Sequence, residues 1–401
     1  MANAVTLSDR GRLMPASPIR KLVPYADAAK ARGVHVYHLN IGQPDIETPP
    51  AMIEAYRTLD RKVIEYGPSG GLVTYVKALA GYYGRVGLDV DPSQILVTTG
   101  GSEALAFVFQ AVAGVGDEII VPEPFYANYN GFAVMSGVTI VPVATRAEDG
   151  FALPARERFE ERITARTRAI LFCNPGNPTG AVYTREEMSM LEGLAADHGL
   201  FLIADEVYRE FVYDGVEHVS VLDLPAVTDR AVLVDSISKQ YSACGARVGC
   251  IVSRNEELMA TVLKFGQARL CPPTVDQIAA TAAMSVPDSY FEGVREEYVK
   301  RRDLTCDALA SMPGVICQKP RGAFYTVAKL PVEDAEQFAV FLLDGFELDR
   351  ETVMVAPAAG FYATAGAGRD EVRIAYVLNT TDLEKAMRAF EAGLEAFGRG
   401  R

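Results

Sequence analysis

From about Asp91 onward, short apolar runs rich in Val and Ile alternate with stretches whose apolar residues recur at helical spacing. Ile95-Leu96-Val97-Thr98-Thr99 predicts a strand, and Ser102 to Val112 an apolar helix. Strands follow at Glu118 to Pro122, Thr139 to Val143, Ala169 to Cys173, Leu200 to Ala204, Ala231 to Val234 and Cys250 to Ser253. Helices are expected between them near Asn128 to Ser136, Pro154 to Ile163 and Thr184 to His198. The last opens on Thr184-Arg185-Glu186-Glu187, a capping-box pattern. About seven continuous apolar strands alternating with helices predict an α/β fold, a mostly parallel sheet covered on both faces.

The pattern differs at both ends. Ala26 to Gly33 is alanine- and lysine-rich and stops at glycine, a helix with its C-cap, and Pro49-Pro50 starts another helix. After about Tyr290 come a long charged helix (Glu292 to Met312), Gly314 to Cys317 and the Gly322-Ala323-Phe324-Tyr325 strand. A helix (Glu333 to Asp344), the strands Val353 to Val355 and Val372 to Tyr376, and a helix (Thr381 to Phe397) follow. The expected division is an N-terminal arm that joins the small unit (1–45), a large α/β domain (46–290) and a small α+β domain (291–401). Pro272-Pro273 is read as a kink within the large domain, and no internal repeat is visible.

The 401 residues can bury a sizeable core, and 49% hydrophobic content is that of an ordinary globular protein. A net charge of −13, with basic residues dispersed among acidic ones, argues against nucleic acid or anionic membrane as a partner. No run is apolar for long enough to span a bilayer, and the first ten residues do not read as a leader, so a cytoplasmic protein is expected. Six cysteines without a CxxC pair are expected as free thiols, and four histidines without paired spacing argue against a metal site.

The chemistry-bearing stretch is Ser236-Ile237-Ser238-Lys239, continued by Gly245-Ala246-Arg247-Val248-Gly249, between two strands. A lysine just past a buried strand lies where open α/β sheets place ligands. Partial desolvation there would free its amine for a Schiff base. Ser236, Ser238 and Arg247 have the character of a phosphate clamp. A surface lysine in a Ser/Gly-rich loop is the other reading of this stretch alone. A second stretch, Asn174-Pro175-Gly176-Asn177-Pro178-Thr179-Gly180 followed by Ala204-Asp205-Glu206-Val207-Tyr208, narrows the choice. With it, the chain resembles the fold-type I pyridoxal-phosphate enzymes, specifically the aspartate aminotransferase superfamily (class I/II). The likeness runs in family order from Asn40-Ile41-Gly42-Gln43-Pro44-Asp45 through Tyr66-Gly67, Thr99-Gly100-Gly101-Ser102 and Pro124-Phe125-Tyr126 to Val372-Arg373-Ile374.

The resemblance implies pyridoxal 5′-phosphate as cofactor and a role for each matching residue. Lys239 would carry the cofactor and then move the substrate proton. Asp205 ends an apolar strand, where an unpaired carboxylate is costly, so a cation is expected; the resemblance supplies the cofactor's ring nitrogen. The other reading of Asp205 is a helix N-cap beside Glu206. Asn177 and Tyr208 match donors to the ring's phenolic oxygen, and a cis Asn177-Pro178 bond is implied. Gly100, Gly101 and Ser102 open a helix directly after a strand, which suits an anion, and would join Ser236, Ser238 and Arg247 in holding phosphate. Tyr126 matches the residue stacked on the ring. Tyr66 matches one that reaches the phosphate of the neighbouring subunit, so a homodimer is implied. Arg373, in an apolar strand, needs an anion: the substrate α-carboxylate by resemblance, with the Gly42 backbone closing over it, or Asp370 or Glu371 as an internal ion pair.

Side-chain selectivity is where the pattern thins. The slot after Gly100-Gly101 holds Ser102 rather than a lysine. Arg269 stands near Pro272-Pro273 but about three residues from the family's slot, so it either reaches the pocket as a substrate-binding residue or packs elsewhere. Ala358-Ala359-Gly360-Phe361-Tyr362 adds aromatic surface that would favour aromatic or aliphatic donors. The expected activity is ping-pong transfer of an amino group from an L-amino acid, with aspartate or aromatic and aliphatic donors, to a 2-oxo acid. A lyase, decarboxylase or cyclase on the same scaffold is the alternative. A non-enzymatic regulator would need a further basic DNA-binding module, which this chain does not show before the arm.

Overall fold

The computed structural model describes residues 6–399; the start of the arm, on which the reading of a leader partly rests, lies outside them. In chain order the strands are β1 (His35–His38), β2 (Ile95–Thr98), β3 (Glu118–Glu123), β4 (Thr139–Ala144), β5 (Thr167–Cys173), β6 (Phe201–Asp205), β7 (Ala231–Ser236), β8 (Gly249–Val252), β9 (Tyr325–Lys329), β10 (Glu351–Met354), β11 (Ala356–Pro357) and β12 (Glu371–Ala375).

Seven of them form one sheet in the order β2-β8-β7-β6-β5-β3-β4. All neighbours are parallel except β8, which runs antiparallel to both β2 and β7. Period-two alternation gives each face its own core. Ile119, Val121, Ala169, Leu171, Ile203, Val232 and Val234 pack with the helix Gly100–Val112 on one side. Ile120, Ile170, Phe172, Leu202, Ala204 and Leu233 pack on the other, against Leu191 and Leu194 of the helix Arg185–His198. Burial on both faces is why these strands read as unbroken apolar runs. Thr184 caps its helix as the spacing implies, with Glu187 returning to the Thr184 N–H.

The arm and the C-terminal part share a third core. β1 pairs parallel with β10, and β11-β12-β9 form an antiparallel sheet. Leu22 to Leu39 pack there with the helices Asp288–Ser311, Ala335–Asp344 and Thr380–Arg399. Several elements differ from expectation. The helix expected over 154–163 shrinks to Arg156–Glu160. The GAFY strand begins only at Tyr325, because Gly322 sits in a tight approach where a Cβ would meet Pro175 and Val182. Pro272-Pro273, read as a kink within the large domain, lies between the helices Glu256–Arg269 and Thr274–Ala283.

The topology sets the carboxyl ends of β6 and β7 side by side in the middle of the sheet, with the loop after β2 at the same end, and Gly249 decides how closely. A Cβ there would lie 2.5 Å from the Gly100 carbonyl carbon, 2.7 Å from the Gly101 nitrogen and 2.8 Å from the Asp235 oxygen, all backbone. Gly249→Ala should therefore cost about 1–3 kcal/mol by urea denaturation. Gly293→Ala, mid-helix with open space around it, should be neutral or stabilising by up to about 1 kcal/mol. Equal midpoints for the two variants would contradict the contact.

Candidate active site

At the carboxyl ends of β5, β6 and β7 lies a cavity of about 460 Å³, a size suited to a small molecule. Lys239 stands on the short helix Ile237–Gln240 that follows β7, and Ser236 caps it by accepting from the Ser238 N–H. The Lys239 ammonium donates to the Gly42 carbonyl at 2.7 Å and approaches Cys244 Sγ at 3.6 Å. Gly42 is needed there: a Cβ would run into the Tyr325 ring.

Asp205 is the last residue of β6 and only 6% exposed. Tyr129 donates to its carboxylate at 2.9 Å. Burial pushes its pKa up to about 6, against the pull of the Tyr129 hydroxyl and the Val207 N–H. No ion pair to Asp205 exists among the described residues, although it lines the cavity. A carboxylate this deep, held by neutral donors alone, is set to receive a cation from the cavity.

The opposite wall suits an anion. The helix Gly100–Val112 starts at the cavity, and Gly101 and Ser102 line it. Gly100 has a φ of +73° and lies so close to the Arg247 guanidinium that a Cβ would come within 2.5 Å of Nη2. Arg247 is itself in the left-handed region, a conformation few side-chain-bearing residues adopt, and Nη1 donates to the Cys244 carbonyl at 2.9 Å. The Ser236 and Ser238 hydroxyls lie 2.7 Å apart beside it. Hydroxyls, guanidinium and helix N-terminus thus converge, as an anion requires.

Arg373 on β12 is 1% exposed. It donates to Asn177 Oδ1 at 3.1 Å and to the Asn40 carbonyl, while Nε has no partner. Its guanidinium carbon lies 4.6 Å from the Tyr325 ring centre and 4.9 Å from that of Phe361. Burial lowers its pKa. It pairs with neither Asp370 nor Glu371; Glu371 instead accepts from the Tyr362 hydroxyl at 2.5 Å, and Asp370 faces Lys329. A buried arginine without a carboxylate is a receptor for one. Asn177 also donates to Tyr208 at 3.4 Å, and Tyr208 shares a 2.9 Å hydrogen bond with Tyr325. The Asn177-Pro178 bond is cis.

The structure therefore brings together Lys239, Asp205, Tyr208, Asn177, Gly101, Ser102, Tyr126, Ser236, Ser238, Arg247, Gly42 and Arg373 around one cavity, with Gly100 packed behind Arg247. It does not bring in two others. Tyr66 is 78% exposed and is not among the residues that line this chain's cavity. Arg269 ends its helix behind the wall, with Nε 3.2 Å from Glu103 Oε2 and Nη2 donating to the Val97 carbonyl. Of the two readings of Arg269, packing elsewhere is the one observed. Sequence reasoning missed Tyr129, Tyr325, Asn40 and Cys244. Asn40 and Tyr325 stood inside quoted motifs without being given a role, and Tyr129 lay three residues after Tyr126. Among the described residues, no group of three His, Cys, Asp or Glu side chains is placed to hold a metal, and no helix is long and apolar enough to cross a membrane.

Comparison with known proteins agrees with this arrangement. Residues 34–390 match the family described as aminotransferase class I and II. An aspartate/prephenate aminotransferase of Thermus thermophilus is 32% identical, covering 96% of this chain and 97% of its own. An aromatic-amino-acid aminotransferase of Thermococcus litoralis is 31% identical over 98% and 99%. Among solved structures, an alanine aminotransferase from Pyrococcus furiosus superposes with a TM-score of 0.89 at 30% identity, over 98% of this chain and 100% of that one. A match across most of the chain, joined to the lysine, carboxylate and anion cradle at the carboxyl ends of the strands, means that the chain belongs to the class I and II aminotransferases, enzymes that transfer amino groups.

Proposed function

We propose that the protein exchanges an amino group between an L-amino acid and a 2-oxo acid in two half-reactions, with pyridoxal 5′-phosphate held in the cavity described above. The family uses this cofactor, and the observation that carries the reading here is Asp205, a buried carboxylate with no cation of its own. A protonated ring nitrogen is the cation it suits. The N-terminus at Gly100-Gly101-Ser102, with Ser236, Ser238 and Arg247, would hold the phosphate. Tyr126 would cover the ring, and Asn177 and Tyr208 would donate to its oxygen. When bound, the cofactor supplies an aldehyde that amines attack and a ring that takes up the electron pair left by the substrate's Cα–H bond.

The chain's own residues do the rest. Asp205 keeps the ring nitrogen protonated, because a carboxylate buried among neutral donors is far more stable beside a positive charge. Lys239 would hold the proton in transit: once its amine has given up a proton and left the Gly42 carbonyl, it would accept the one on substrate Cα. Arg373 clamps the α-carboxylate; Asn177 and Asn40 fix the guanidinium plane, and the unpartnered Nε remains for the incoming oxygen. That clamp sets which face of Cα meets Lys239.

Exposed Tyr66 is flanked by exposed Val63 and Ile64. Apolar side chains grouped this way suit coverage by a second copy of the chain, and a homodimer whose Tyr66 completes the neighbouring phosphate site is part of the proposal. So is a cytoplasmic location.

Lys239→Ala should lower turnover by at least about 10³-fold and remove the cofactor label that borohydride otherwise fixes on the Lys239 peptide. Intact turnover, or label on another peptide, would overturn the assignment. Wild-type enzyme given amino acid without acceptor should release one equivalent of 2-oxo acid per site; continuous release of ammonia would point to a lyase. Arg269→Ala should change kcat/KM for aspartate and phenylalanine by the same factor, since its partner is Glu103. A loss confined to aspartate would place Arg269 in substrate reading after all.

A further inference from the structure

Four cations line the cavity, Lys239, Arg247, Arg373 and Arg20, against one carboxylate, Asp205. On the function proposed above, three have tasks: Lys239 moves the proton, Arg247 meets phosphate and Arg373 meets the α-carboxylate. Arg20 is left over. Among the described residues, no carboxylate and no carbonyl accepts a hydrogen bond or ion pair from its side chain. Its neighbour Lys21 differs, since it is committed to Glu336.

The side chain of Arg20 is exposed, but the backbone that carries it is anchored. Asn40, whose carbonyl accepts from Arg373, donates its side-chain amide to the Ile19 carbonyl at 3.3 Å. Pro18 packs so tightly on Gly360 that a Cβ there would clash, and Ile19 packs on the cluster around Phe361. Phe361 in turn lies under the Arg373 guanidinium. The segment carrying Arg20 is thus tied by one hydrogen-bond chain and one apolar contact to the group that meets the α-carboxylate. The same cavity is lined by Ser17, Ile19, Ile41, Leu105 and Asn128. Arg20 is the charge in that set, and Asp205 is the one acid in the whole lining.

We propose that Arg20 is the specificity-determining residue for a second, distal carboxylate, so that dicarboxylic amino acids and 2-oxo acids are the favoured partners in at least one half-reaction. The task expected of Arg269 falls instead to a guanidinium on the arm. A planar guanidinium can meet both oxygens of such a carboxylate, which an uncharged substrate side chain cannot exploit. Apolar side chains would rest on Ile19, Ile41 and Leu105, which lets one mouth accept both classes.

This inference rests on the aminotransferase reading, and wild-type turnover of any amino acid and 2-oxo acid pair tests that reading separately. The variants are Arg20→Gln and Arg20→Lys. The ratio of kcat/KM for 2-oxoglutarate to that for phenylpyruvate should fall roughly 10- to 100-fold in Arg20→Gln and recover in part in Arg20→Lys. Binding of maleate, a dicarboxylate that cannot react, followed by calorimetry, should weaken by a similar factor, while 3-phenylpropionate binding should weaken less. An unchanged ratio, or equal weakening of both ligands, would overturn the proposal and leave Arg20 a structural part of the arm.

Discussion

A carboxylate at the end of a buried strand with no positive partner is the constraint around which this site is built. Asp205 sits where β6 leaves the sheet, beneath the cavity, and its hydrogen bonds come from neutral groups. Nearby Asp235 and Glu206 push its pKa further up, so the protein's own charges make its ionised form harder to hold. Such an arrangement is unfavourable unless something cationic arrives.

Two neighbouring acids differ from Asp205 in having a cation within 4 Å. Glu206, fully buried, has Arg209 at 2.8 Å, the Ser220 hydroxyl at 3.0 Å and the Val221 N–H at 2.7 Å. Asp235 accepts from the Tyr83 hydroxyl and the Ser236 N–H, with Arg209 3.9 Å away. His218 adds no charge, because burial pushes its pKa down to about 3. Burial still raises both acids, Asp235 to about 6, but Arg209 pulls each of them back, and neither lines the cavity. Asp235 also hands its order to Ser236, the cap of the helix that carries Lys239. The charged network thus fixes the platform, and the uncompensated charge is left to face the ligand.

Much of this was legible in the order of residues, for identifiable reasons. Strands buried on both faces are continuous apolar runs, so the seven-stranded sheet and the position of Lys239 beyond β7 followed from patterning. The Thr184 capping box was local chemistry and needed no tertiary context. Arg373 announced itself as a charge in an apolar strand, yet the choice between an internal partner and a ligand depended on where Glu371 turned, which is toward Tyr362. Arg269 was harder. Its helix runs to the arginine itself and breaks at Leu270, which takes a φ of +86°, so the guanidinium folds back onto Glu103. Nothing local encodes that reversal. Arg20 was invisible for the same reason: its place at the mouth depends on Pro18 meeting Gly360 and on Asn40 reaching Ile19, contacts between segments far apart in the chain.

The most direct measurement is the titration of the Asp205 carboxyl by carbon NMR, first in protein freed of cofactor and then after pyridoxal 5′-phosphate is added. The account requires a pKa near 6 in the free protein, above the ordinary value of about 3.9, and a fall below that ordinary value once a cation sits beside it. Below its pKa the empty site holds a neutral acid, so the change should appear as proton release on binding between about pH 4 and 6. An ordinary pKa in the free protein, or one that does not fall when the cofactor binds, would contradict the central claim.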